Sequence, residues 1–175
     1  MRPQTSPRSD QAGFSLPELL VVTALLGIVI ALALPSGREA VAREQVEAAT
    51  RSLLEGIQRG RAEAERTAAA CGLSLGEEGW EPPLEGELPA CDTGLGALRP
   101  LGGGGVQWRH NLPATLRFTA TGLVLDGGTV VLEAPGTTVR RCVVMALPLG
   151  VVRVGRAVGG ASLASAQCRP EAVRP

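Results

Sequence analysis

The chain has 175 residues, with 17 arginines, no lysine, 17 acidic residues, one histidine and four aromatic side chains. Zero net charge excludes a uniformly basic nucleic-acid binder, and four aromatics exclude a stacking platform for single strands. An apolar content of 45% excludes a disordered chain, and any His-based zinc site or Ser/His catalysis would rest on His110 alone.

Residues 1–13 form a short polar leader with Arg2, Arg8 and Asp10. Residues 14–34 follow with a single charge, Glu18. At about 1.5 Å per residue such a run is long enough to cross a hydrocarbon core of about 30 Å. The pattern therefore predicts a membrane-spanning helix over 14–35, with the leader arginines holding the N-terminus on the cytoplasmic side. A secretory signal peptide fits less well. Its apolar core is shorter, about 7–15 residues. Ala31 and Ala33 precede Leu34 and Pro35, and a proline beside the cut disfavours cleavage there. Glu18 near the start of a membrane helix costs a few kcal/mol and calls for a partner.

The run Gly13-Phe14-Ser15-Leu16-Pro17-Glu18-Leu19-Leu20-Val21-Val22 resembles the class III signal of type IV pilins and type II secretion pseudopilins. The resemblance implies a prepilin peptidase that cuts after Gly13 and methylates the new amine on Phe14. It maps the family's glutamate onto Glu18 and its helix-perturbing proline onto Pro35, 21 residues after Phe14. It further implies an inner-membrane anchor, a periplasmic C-terminal domain and assembly with other pilins or pseudopilins. Neither a cofactor nor a catalytic residue is implied. Each role has a physical basis. Glycine lets the backbone enter a protease cleft. In an apolar setting Glu18 can pair with the terminal amine of a neighbouring subunit and set axial register; the alternative is snorkelling to the interface. Pro17 departs from the commoner Thr, Ile or Leu, but the first helical turn tolerates it because its missing N–H would be unpaired.

Residues 36–70 read as an amphipathic stem. Val46, Ala49, Leu53, Ile57, Gly60, Ala64 and Ala68 recur at three- and four-residue steps, with charges on the other faces. Glu47 with Arg51 and Glu55 with Arg59 are helical pairs in the favourable order. The expectation is one helix from about 15 to about 70, loosened near Gly27 and Pro35. Residues 71–105 read as loop, and the glycine run 102–105 as a hinge or turn; without a following Lys-Ser/Thr it is no phosphate loop. Strands are expected at 106–110, 115–120, 123–125, 129–134, 139–147 and 151–158, separated by glycine turns. Residues 106–175 would thus form an antiparallel β domain packed on the stem, an α+β architecture of the pilin type.

The second half resembles the H-type pseudopilin/FimT family more narrowly. Phe118-Thr119-Ala120-Thr121-Gly122 matches its Phe-x-x-x-Gly turn, and 143–150 its later strand and turn. Its closing Gly-Arg-x-Arg is broken, since Gly150 is followed by Val151, Val152 and Arg153. A FimT-like DNA receptor is therefore the competing function, with Arg140, Arg141, Arg153 and Arg156 as phosphate contacts. Against it stand Val151, the absence of lysine, and a rival use for these arginines. Residues 36–92 carry net −6 and residues 93–175 net +6, so the two halves can attract each other within the fold or across a subunit contact.

Cys71, Cys91, Cys142 and Cys168 contain no C-x-x-C pair, which weakens zinc and redox-motif readings. Beyond a membrane anchor the domain faces an oxidising compartment. Three pairings are open. The favoured one closes the loop with Cys71–Cys91 and ties the tail to a strand with Cys142–Cys168; a free catalytic thiol with His110 as base is the alternative. His110 is otherwise expected at a rim. Glu77, Glu78, Glu81, Glu85 and Glu87 lack the alternating ligand pattern of an EF-hand and read as a solvated acidic loop, so no metal is expected.

Overall fold

The structure is a computed structural model. It describes residues 15–83, 88–91, 105–147, 150–160 and 162–170, with the side chains of 31–36 left out. The chain divides into two units, Met1–Gly37 and Arg38–Pro175.

Helix α1 runs over Leu16–Thr67, and Gly27 and Pro35 both lie inside it. In the second unit its core stripe is the expected one. Val46, Ala49, Leu53, Ile57 and Ala64 are buried, each at most 1% exposed. Each large apolar side chain of this kind contributes roughly 1.5–3 kcal/mol on burial. Gly56 and Gly60 leave notches between them. The Trp80 indole fills the first, and its Nε1 donates to the Leu53 carbonyl at 3.2 Å. The Phe118 ring fills the second. Two of the four aromatics thus key the sheets onto the helix, which only glycines permit at this distance. Ala68, expected to extend the stripe, ends the helix instead. It takes φ +49°, with Ala68 N–H bonded to the Glu65 carbonyl and Ala69 N–H to the Ala64 carbonyl. This is a Schellman cap with alanine where glycine is usual.

Two antiparallel sheets follow. The first has order β2-β1-β4, from β1 (Cys71–Leu75), β2 (Trp80–Glu81) and β4 (Leu116–Phe118). The second has order β3-β5-β6-β7-β8, from β3 (Gln107–His110), β5 (Gly128–Glu133), β6 (Arg141–Ala146), β7 (Val151–Ala157) and β8 (Cys168–Pro170). Both contribute to one core with the helix: Leu73, Leu116 and Phe118 from the first, Val130, Leu132, Val143 and Met145 from the second. The expected α+β architecture is present, with two differences. Strands β1 and β2 lie in the stretch read as loop. Residues 123–125 make only an isolated bridge between Phe118 and Val124. All five residues of β1 are buried, so its sequence lacks the alternation that marks a half-exposed strand. Most of the glycine run lies outside the described residues.

Both favoured disulfides are present, Cys71–Cys91 and Cys142–Cys168, with Cα separations of 5.0 and 5.7 Å. The second spans β7, which lies between β6 and β8. Gly155, opposite Cys142 in the register, makes that crossing possible. The Arg169 backbone carbonyl stands where a Gly155 side chain would be, so β8 folds across β7 and brings Cys168 to Cys142.

Candidate functional site: an apolar helix and an arginine edge

In the first unit, α1 opens with Leu16 and Pro17, and Glu18 sits in its first turn. A carboxylate there is favoured by the helix dipole. Ten large apolar side chains from Leu16 to Ile30 are 50–78% exposed. They leave no polar face, the pattern of a helix that is buried on all sides by something else. The one hydroxyl among them, Thr23, bonds back to the Leu19 and Leu20 carbonyls at 3.0 Å. It therefore needs no water. Glu18 is exposed and has no ion-pair partner among the described residues.

The processing pair, Gly13 and Phe14, lies outside the described residues. Pro35 lies inside α1, at a position whose side chain is not described. Among the described residues no helix is long and apolar enough to cross a membrane. The expected membrane-spanning first half is thus not met among the described residues.

The four candidate DNA-contact arginines do not act together. Arg141 is withdrawn from the surface, with its side chain 9% exposed. It faces the helix, where its Nε and Nη2 both reach Glu47 Oε1, at 2.7 and 2.5 Å. Alternation along β6 explains this: Arg141, Val143 and Met145 share the helix side, and Cys142 and Val144 the other. Arg141 is thus an internal residue and not a phosphate contact.

The other three remain at the surface. Arg140 donates to the Gly159 carbonyl and lies 3.9 Å from Glu133, which also faces Arg109 at 3.9 Å. Arg153 and Arg156 are exposed on β7. Arg169, absent from the sequence reading, is exposed on β8 directly opposite Arg156. The signal that could have found it is its place next to Cys168, once the disulfide ties that segment to the sheet. By the register Arg156 and Arg169 share the face of Arg141, and Arg153, opposite Val144, lies on the other face.

The remaining ionic contact in this region is local. Arg117 grips Asp126 through its backbone N–H, Nε and Nη2 at 2.7–3.0 Å. The guanidinium hydrogen bonds hold the Asp126 carboxyl below its ordinary value and raise Arg117 in return. His110 is half-buried on β3, and its Nδ1 has no partner among the described residues. Glu77 and Glu78 are exposed between β1 and β2, Glu81 lies on β2, and Glu85 and Glu87 are outside the described residues. No cluster of His, Cys, Asp and Glu that could hold a metal occurs among the described residues.

An apolar helix leading into a stem packed on antiparallel sheets defines a pilin-like protein. The comparisons agree. The prokaryotic N-terminal methylation motif matches residues 8–34. The type II transport protein GspH family matches residues 49–148, more than half of the chain. The chain belongs to the GspH family. Neither a curated protein nor a solved structure matches it.

Proposed function

We propose that this pseudopilin is cut by a prepilin peptidase after Gly13, methylated on Phe14, and held in the inner membrane by the helix that follows. The N-terminus is cytoplasmic before processing and the second unit is periplasmic. The protein then joins other pilins or pseudopilins in a type II secretion pseudopilus or type IV pilus, as a structural subunit and not an enzyme. The observation that carries this reading is the apolar helix surface from Leu16 to Ile30, which has no polar face and holds Glu18 in its first turn. Such a surface is stable only when lipid or neighbouring helices cover it. In that setting Glu18 pairs with the Phe14 amine of an adjacent subunit.

The test is the intact mass and N-terminal residue of the membrane-purified protein, with and without the peptidase. A peptidase-dependent start at methylated Phe14 is expected. A start at Met1, or a cut near residue 34, refutes the reading. Glu18→Ala should leave cleavage intact and impair incorporation; normal incorporation removes the role assigned to Glu18.

A second reading, DNA binding, keeps Arg140, Arg153 and Arg156 and loses Arg141. Its support is the exposure of Arg153 and Arg156 on β7 and the place of Arg169 directly opposite Arg156. Salt-dependent retention of duplex DNA tests it, and no retention at low ionic strength ends it.

A further inference from the structure

The two disulfides sit in different surroundings. Cys71 and Cys91 are 4% and 0% exposed and belong to the core. Their segments are also joined through the backbone, Gly72 N–H to the Pro89 carbonyl and Cys91 N–H to the Gly72 carbonyl. In the other bridge Cys142 is buried, but Cys168 is only half-buried. No described residue from Val158 to Pro170 is buried, so this segment brings no side chain into the core. Strand β8 meets β7 over three residue pairs, Gly155 with Pro170, Arg156 with Arg169 and Ala157 with Cys168. The Val158 N–H also donates to the Gln167 carbonyl. Gly155 offers β8 bare backbone and no side chain to pack on. The Cys142–Cys168 bond ties this weakly packed segment to the buried part of the sheet.

We propose that Cys142–Cys168 is a redox latch on β8, opened by a dithiol reductant that leaves Cys71–Cys91 closed. A thiolate of the reductant attacks the Cys168 sulfur, the less buried of the pair. The protein S–S bond breaks, Cys142 leaves as a thiolate, and a mixed disulfide forms on Cys168. The reductant's second thiol then attacks its own sulfur in the mixed disulfide and releases Cys168. Two electrons and two protons pass to the protein, which gains two thiols, and the reductant departs as its own disulfide. With the bridge open, β8 separates and β7 becomes the outer strand of the sheet. Its N–H and C=O groups on that side are then open to water or to another strand. A disulfide-carrying oxidant takes the two electrons back and closes β8 again. The latch holds whether or not the chain joins a filament.

The test uses the full chain in detergent micelles, with dithiothreitol as the dithiol and iodoacetamide to trap free thiols. Cys142 and Cys168 should become alkylated at least about tenfold faster than Cys71 and Cys91. In the selectively reduced protein, hydrogen exchange at the Val158 amide should speed up at least about tenfold, since its acceptor on Gln167 moves away. The Arg156 amide, which the alternating ladder turns the same way, should follow. The Ala157 N–H points the other way, to the Arg140 carbonyl, and should stay protected. Cys142→Ala with Cys168→Ala should show this open pattern without reductant while Cys71–Cys91 stays intact. Reduction of both bridges at equal rates, or of Cys71–Cys91 first, overturns the inference. So does unchanged protection of Val158 once Cys142 and Cys168 are free thiols. Loss of protection across β5 and β6 as well also overturns it, because the bridge would then hold the whole sheet and not β8 alone.

Discussion

Glu47 and Arg141 join the helix to the centre of the five-stranded sheet, and the two partners are unequally placed. The Arg141 side chain is 9% exposed and that of Glu47 25% exposed. Both guanidinium donors fall on one carboxylate oxygen, so truncating Glu47 removes two charge-assisted bonds at once. Breaking a buried pair from one side costs about 3–5 kcal/mol. Glu47→Ala should sit near the lower end, about 3 kcal/mol, because some water reaches the site. Arg141→Met keeps the apolar stem and leaves a carboxylate that can hydrate, so about 2 kcal/mol is expected. Replacing both, Glu47→Leu with Arg141→Met, should return to within about 1 kcal/mol of the parent, because no charge is left buried. Urea unfolding followed by the fluorescence of Trp80 and Trp108 measures all three. A loss of 3 kcal/mol corresponds to roughly 10 °C in Tm for a unit of this size. Equal small losses below about 1 kcal/mol, or a double variant that costs the sum of the singles, would refute the reasoning. In that case Arg141 would be solvated and available as a surface contact.

Three further outcomes follow from local geometry. Ala68→Gly should stabilise the second unit by up to about 1 kcal/mol, since glycine occupies the left-handed cap without strain; an unchanged urea midpoint counts against the cap. Gly56→Val should cost about 1–3 kcal/mol and shift Trp80 emission to the red, because the indole occupies the space the side chain needs. Asp126, held below its ordinary value by Arg117, contributes stability that is complete above the unfolded carboxylate value near about 3.9 and is lost as pH falls through the lower folded value. Asp126→Ala should therefore narrow its stability gap from the parent between about pH 6 and pH 2, and a gap constant with pH removes the assignment.

The two disulfides show how far chain order can carry a structure. Closing 20 and 26 residues, they restrict the unfolded chain by roughly 3 kcal/mol each in the loop-entropy account. The pairing was readable because each bridge joins cysteines that are neighbours along the chain. The overlay of β8 on Gly155 was not readable. A lone glycine between Val154 and Arg156 looks like a weak spot in a strand, and only the folded sheet shows that a carbonyl needs its space.

By itself, the sequence determined what depends on local period and composition. The stripe from Val46 to Ala64, the turn-bounded strands from β3 to β7, and the apolar run with Glu18 each carry their signal within a few residues. Tertiary structure decided what depends on distant partners. Strand β1 exists because β4 pairs with it across more than 40 residues, and its burial on both faces erases the alternation that would announce it. Arg141 looked like its neighbour Arg140. One step along a strand turns a side chain to the opposite face, and the helix lies on only one of them.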